Sequence, residues 1–157
     1  DQDARTAEGR KMEGVDRQDR LPEVGAQVTG SLTSMTAVRV GYQFAENRSS
    51  GAFYRHVSHQ VYGMVFQELT EKLSAYAYLE RQWKFYEKQI AYSDPLGTLS
   101  PNGIRDDRRW LALFGLQYQF CPRLSLVGEY SRISNHSNDD TSPYRGNQYS
   151  LGMIWQF

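Results

Sequence analysis

The chain closes on Tyr149-Ser150-Leu151-Gly152-Met153-Ile154-Trp155-Gln156-Phe157. Residues 149, 151, 153, 155 and 157 are all large and apolar. Between them stand Ser150, Gly152 and Gln156, with Ile154 the one apolar exception. An alternation of period two places the two sets on opposite sides of an extended strand. Chain ends usually fray and carry polar residues. This one reads as an anchored strand that runs to its last residue.

The same pattern extends backwards through almost the whole chain. Alternating segments are read at 22–32, 36–46, 54–69, 73–86, 108–120, 124–134 and 145–157. In 36–46, Val38, Val40, Tyr42 and Phe44 oppose Arg39, Gly41, Gln43 and Ala45. In 73–86, Leu73, Ala75, Ala77, Leu79, Trp83 and Phe85 oppose Ser74, Tyr76, Tyr78, Glu80, Gln82 and Lys84. Residues 1–21 lack such a period and are read as a polar loop or disordered arm, with the β-structure filling 22–157. Runs this long and frequent predict an all-β antiparallel protein.

The connections alternate in length. Thr33-Ser34-Met35, Thr70-Glu71-Lys72 and Cys121-Pro122-Arg123 are tight turns. Residues 47–53, 87–107 and 135–144 read as long polar loops. The strands that rise from the tight turns begin TAVRVGY, LSAYAYL and LSLVGEY, a loose internal repeat. Short turns on one side and long loops on the other fit an up-and-down transmembrane β-barrel, or the C-terminal part of one. The strand lengths agree, since a tilted membrane-crossing strand needs about 9–11 residues. Aromatic residues near both ends of the apolar face read as two girdles: Tyr118, Phe120, Trp155 and Phe157 on the turn side, Trp83, Phe85, Trp110 and Tyr149 toward the loops.

Composition narrows the alternatives. Eighteen basic and eighteen acidic residues cancel, so no global field draws the chain to nucleic acid. Mean hydropathy is −0.66, and no stretch approaches the roughly 20 apolar residues of a transmembrane helix. The first twenty residues are charged from the start, which is unlike a signal peptide and predicts a mature form, a fragment or a cytosolic protein. Cys121 is the single cysteine, so no internal disulfide can form.

The polar face supplies the candidate lumen-lining residues Arg39, Gln60, Tyr76, Tyr78, Glu80, Lys84, Gln117 and Glu129. Side chains of these types can line water, or fill a narrow interior with hydrogen bonds. Arg81 falls on the apolar face near its loop end, where a guanidinium can snorkel or meet lipid phosphate.

Ser150, Gly152, Trp155 and Phe157 match the polar-x-Gly-x-x-aromatic-x-aromatic pattern, and the ending resembles the C-terminal β-signal of bacterial outer-membrane proteins. That resemblance implies a bacterial outer-membrane location, contact with outer-membrane lipid, and recognition by the barrel-assembly machinery. From about residue 22 onward the chain also resembles the second β-barrel porin family, on RLSLVGEYSRISNHSNDD, PYRGNQYSLGMIWQF and the repeated Leu-Ser strand openings. Members of that family are linked to exopolysaccharide export. The resemblance therefore implies a polar-lumen channel or export pore for polysaccharide or small solutes, neither an enzyme nor a cofactor protein. The alternative is a small non-conducting barrel whose outer loops bind or adhere.

A membrane hydrolase is a weaker rival. Barrels of the lipid A 3-O-deacylase type carry His-x-Ser-Asn, whereas here Arg132 stands where that histidine would be, ahead of Ser134 and Asn135. His136 lies higher, and Ser134 without a base in reach is not activated. His56 and His59 are three apart on a strand and so face opposite ways, which argues against a metal pair. Asp106, Asp107, Asp139 and Asp140 read as solvated loop charge rather than a calcium site. Finally, seven strands is an odd number for a single-chain barrel. The expectation is the C-terminal part of a larger barrel, or an eight-stranded barrel with one strand hidden in or before 1–30.

Overall fold

Residues 18–93 and 100–156 are described in the computed structural model of the chain. Phe157 and most of the expected N-terminal arm lie outside them. The described residues form one antiparallel sheet of eight strands, β1 (Asp19–Arg20), β2 (Glu23–Ser31), β3 (Thr36–Ser49), β4 (His56–Thr70), β5 (Leu73–Ser93), β6 (Ser100–Cys121), β7 (Leu124–Ser137) and β8 (Tyr144–Trp155). From β2 to β8 each strand pairs with the next in sequence, an up-and-down order, and β1 is a two-residue piece that also pairs with β3. Among the described residues the only helical element is a 3-10 turn at Ala52–Tyr54.

The turns repeat one stagger. The tight turn between β2 and β3 lends the Met35 carbonyl to the Glu68 amide of β4, at 2.8 Å. The next turn lends the Lys72 carbonyl to Gln119 of β6, also at 2.8 Å, and the third lends Arg123 to Gln156 beyond β8, at 2.9 Å. Register shifts at Glu68/Thr70 and Gln119/Cys121 mark the places where two of the hairpins tighten. Each hairpin thus reaches further on the turn side than the one before, the slant expected of tilted strands.

The seven long strands match the seven segments read from the sequence. β3 and β7 each run three residues further than read, to Ser49 and Ser137, into the stretches 47–53 and 135–144 expected as loops, and two boundaries differ more. Asp19–Arg20 lies inside the expected arm, yet it pairs with Arg48 and Ser49 of β3. The expected loop at 87–107 is largely a continuation of β5 and β6, paired at Ile90↔Ile104, Tyr92↔Pro101 and Ser93↔Ser100. Register shifts between Phe85 and Ile90 and between Ile90 and Tyr92 break the alternation there, which is why the period fades in sequence while the ladder continues.

The register sorts side chains onto two faces. One carries Val28, Val40, Val61, Val65, Leu79, Phe114, Leu151 and Met153, all exposed. The other carries Ser58, Glu80, Asp107, Ser125 and Asn135, all buried. Only Ala45 and Ala91 are buried apolar residues among those described. This inverts the arrangement of a globular domain in water, where large aliphatic side chains are the buried ones. No second layer covers the polar face, so its burial comes from the sheet curving around it. The edges β2 and β8 do not pair with each other, and the sheet is open.

Candidate functional site

The eight residues expected on the polar face do share one face. Pairings run Arg39↔Met64↔Tyr78, Gln60↔Gln82, Ser58↔Lys84↔Asp107, Tyr62↔Glu80, Phe66↔Tyr76↔Gly115↔Glu129 and Ser74↔Gln117. They do not form a single ring. Arg39 lies three residues from the turn-side start of its strand, Glu129 five, Glu80 seven and Lys84 eleven. The charges climb the face as a ladder.

Six of these eight polar groups have a hydrogen-bond partner. Glu80, only 5 % exposed, accepts from Arg109 at 2.6 Å and from the Tyr78 hydroxyl at 2.7 Å. Arg39 donates to Thr29 at 3.2 Å. Gln82 donates to Gln60 at the outer limit of 3.5 Å. Glu129 accepts from Tyr76 and, at 3.0 Å, from Ser150. Lys84 stands directly across from Asp107.

Two tyrosines reach across a whole strand, and glycine makes this possible. Tyr62 of β4 lies over Gly41 of β3, and its hydroxyl donates to Gln27 of β2 at 2.9 Å. Tyr76 of β5 lies over Gly115 of β6 and donates to Glu129 of β7. A Cβ at Gly41 or Gly115 would overlap the tyrosine ring. Both straps lay the ring along the wall of the sheet instead of pointing it away.

At the loop end the polar face meets a compact outer platform. Arg105 bonds both Asp107 oxygens, at 3.0 and 2.7 Å, sits over the Tyr86 ring at 5.0 Å, and comes within 3.8 Å of Asp139. Asp139 also accepts from the Thr141 hydroxyl at 2.7 Å, the Ser142 hydroxyl at 3.1 Å and the Tyr92 amide at 3.4 Å. Burial by itself pushes its carboxyl up, but these hydrogen bonds together hold it below the usual aspartate value. Asn138 ties the β7–β8 loop to β6 through Ile104 and Asp106, each at 2.8 Å. Asp107 and Asp139 are therefore occupied by Arg105, and no group of metal-ligating side chains gathers among the described residues.

The other residues singled out in sequence scatter. Ser150 and Gly152 lie on the polar face of β8, Trp155 on the apolar face, and Phe157 lies outside the described residues. His56 faces the polar side and its Nδ1 meets the Tyr54 carbonyl at 3.0 Å. His59 faces the apolar side, 2.7 Å from the Tyr42 hydroxyl. Ser134 and His136 share the apolar face with no hydrogen bond between them. Cys121, expected in the tight turn, is the last residue of β6, free and exposed.

Arg109 and the Tyr–Gly straps went unread in sequence, and Asp107 and Asp139, read there as solvated loop charge, are instead buried, Asp107 on the polar face of β6. Both straps cross pairings made through loop-side connections, and only the tight turns fix register from sequence alone. Fold and face together define the class: an all-β chain with an antiparallel up-and-down sheet of one polar and one apolar side. Comparison with protein-family models, curated proteins and solved structures yields no match for this chain.

Proposed function

We propose that this sheet is wall of an outer-membrane β-barrel whose polar face lines a water-filled passage for polar solutes, polysaccharide among them. The observation that carries the reading is the inverted burial: Glu80, Asp107 and Asn135 are enclosed while Leu151, Met153 and Tyr149 are more than 75 % exposed. A lipid hydrocarbon surround makes that exposure favourable and requires every backbone group to be paired. The open edges at β2 and β8 are then closed in the membrane, by each other or by further strands. The flat-lying Tyr62 and Tyr76 rings support a passage over a filled interior, because they keep two of the largest polar-face side chains against the wall. The C-terminal motif supports delivery by the barrel-assembly machinery.

A second reading rests on the outer platform. β5 and β6 run to 21 and 22 residues, well past a membrane crossing, and their ends are tied to the β7–β8 loop. Such a platform suits a binding role at the surface.

Conductance separates the two. The chain, folded into detergent and added to a planar bilayer, is expected to give steady ion current that falls when Glu80 and Glu129 are replaced by arginine and a cation is the carrier. Absence of current from a folded, inserted protein would sink the passage and leave the surface-binding reading.

A further inference from the structure

The apolar face carries a set of cations that the passage does not use. Arg81 lies between two indole rings, 4.8 Å from the Trp83 centroid and 4.6 Å from that of Trp110. Its Nε is buried and finds no acceptor. Along the same register row run Arg81, Trp110, Ser134 and Arg145, with Arg132 one step toward the turns. Among the described residues, none of these three arginines has an acidic partner. Arg108 nearby differs, since Asp106 lies 3.6 Å from it.

Their height is shared despite the slant of the sheet. Arg81 is eight residues beyond Leu73, Arg132 eight beyond Leu124, and Arg145 ten before Trp155. A tilted strand crosses the hydrocarbon in about 9–11 residues. All three guanidiniums therefore reach the interface on the loop side, directly above the band of Leu79, Phe114, Tyr149 and Leu151. Arg81 and Arg145 are three strand spacings apart, roughly 14 Å. An indole on either side removes water from one guanidinium while leaving its donors in need of an anion.

We propose that Arg81, Arg132 and Arg145, with Trp83 and Trp110, form a site for the headgroup of an anionic lipid that carries more than one phosphate. The site rests on the membrane reading above. Three guanidiniums spread over four strands fit separated phosphates better than one. The indoles fit the boundary between headgroup and acyl chains, where amphipathic rings settle.

The test uses the whole chain folded in zwitterionic detergent, with tryptophan emission as the readout. Lipid A is the probe, phosphatidylglycerol the single-phosphate comparison and inorganic pyrophosphate the free anion. Lipid A is expected to shift the emission with at least fivefold lower half-saturation than phosphatidylglycerol. The triple variant Arg81→Gln, Arg132→Gln, Arg145→Gln should lose at least fivefold, while Lys72→Gln at the opposite rim keeps the wild-type response. Equal lipid A binding by the triple variant would overturn the site, as would pyrophosphate matching lipid A at equal phosphate. Failure of the unaltered chain to fold or insert in lipid would instead defeat the membrane reading. A heat-sensitive gel mobility tells the two failures apart, because it reports folding without any headgroup.

Discussion

Glu80 and Arg81 are consecutive, yet they live in opposite surroundings. Glu80 points to the polar face and is matched by Arg109 and Tyr78. Arg81 points to the apolar face and is matched by two indoles and no carboxylate. The facing strand repeats the division, for Arg109 serves the polar face and its neighbour Trp110 the apolar one. A single-layer sheet has no core to hide a charge in. Each strand position must therefore settle its charge within its own face, by ion pairing on one side and by π-contact on the other.

The sharpest way to break this division is to put a charge where the apolar face is furthest from either rim. Phe114→Arg is expected to cost about 2–4 kcal/mol of folding stability in lipid vesicles. Gln117→Arg, on the polar face of the same strand, should cost less than about 1 kcal/mol by the same urea titration. Equal costs would mean that Phe114 does not face hydrocarbon.

The paired arginines give the next contrast. Arg109→Met leaves the enclosed Glu80 carboxylate with the Tyr78 hydroxyl alone, and should cost about 2–3 kcal/mol, less than a fully buried pair because Arg109 is partly exposed. Arg81→Met removes no carboxylate's partner and keeps apolar contact with the indoles, so its cost in lipid-free micelles is expected below about 1 kcal/mol. Denaturation of the two variants side by side decides whether the faces treat charge differently.

The glycines test the straps. In Gly115→Ala the new methyl meets the Tyr76 ring, which must swing out and release Glu129. The expected result is a clear loss of stability, since one charge-assisted hydrogen bond is released and the ring is displaced. Gly152→Ala is the comparison, since a Cβ there meets nothing within 4 Å. A flat result at both positions would show that Tyr76 does not lie over β6.

These contrasts also mark what could be read in the sequence. The strands on either side of Met35, Lys72 and Arg123 were legible because tight turns fix both the pairing and the phase of alternation. From phase alone the eight polar-face residues fell on one side. Arg109 was not legible as the partner of Glu80, because β5 and β6 are joined through a long hairpin whose two register shifts erase the counting. The same irregularity hid the ladder at Ile90 and Ile104 behind a stretch that reads as loop. The straps were hidden for a like reason, since Tyr62 meets Gly41 across the connection through Ala52–Tyr54.

The loop-side platform is where the smallest effect belongs, and it sharpens the contrast between the two-faced wall and its crown. The Asp139 carboxyl is held below the ordinary 3.8 by hydrogen bonds that outweigh its burial. A folded-state value below the unfolded one adds stability that is fully present above the unfolded value. That stability drains away as pH falls through the folded one. The Asp139 loop should therefore be intact at pH 7 and loosen only below about pH 4, where protonation weakens the bonds from Thr141, Ser142 and Tyr92. Hydrogen exchange at the Tyr92 and Asp140 amides, which tie β5 to this loop, is expected to quicken at pH 3 relative to the mid-strand amides of β5. The intrinsic acid dependence of exchange must be divided out first. In Asp139→Asn the same amides should already be faster at pH 7, by a few-fold. If the platform amides keep pace with the wall at low pH, the crown is held by Arg105 and Asn138 alone, and Asp139 adds nothing to it.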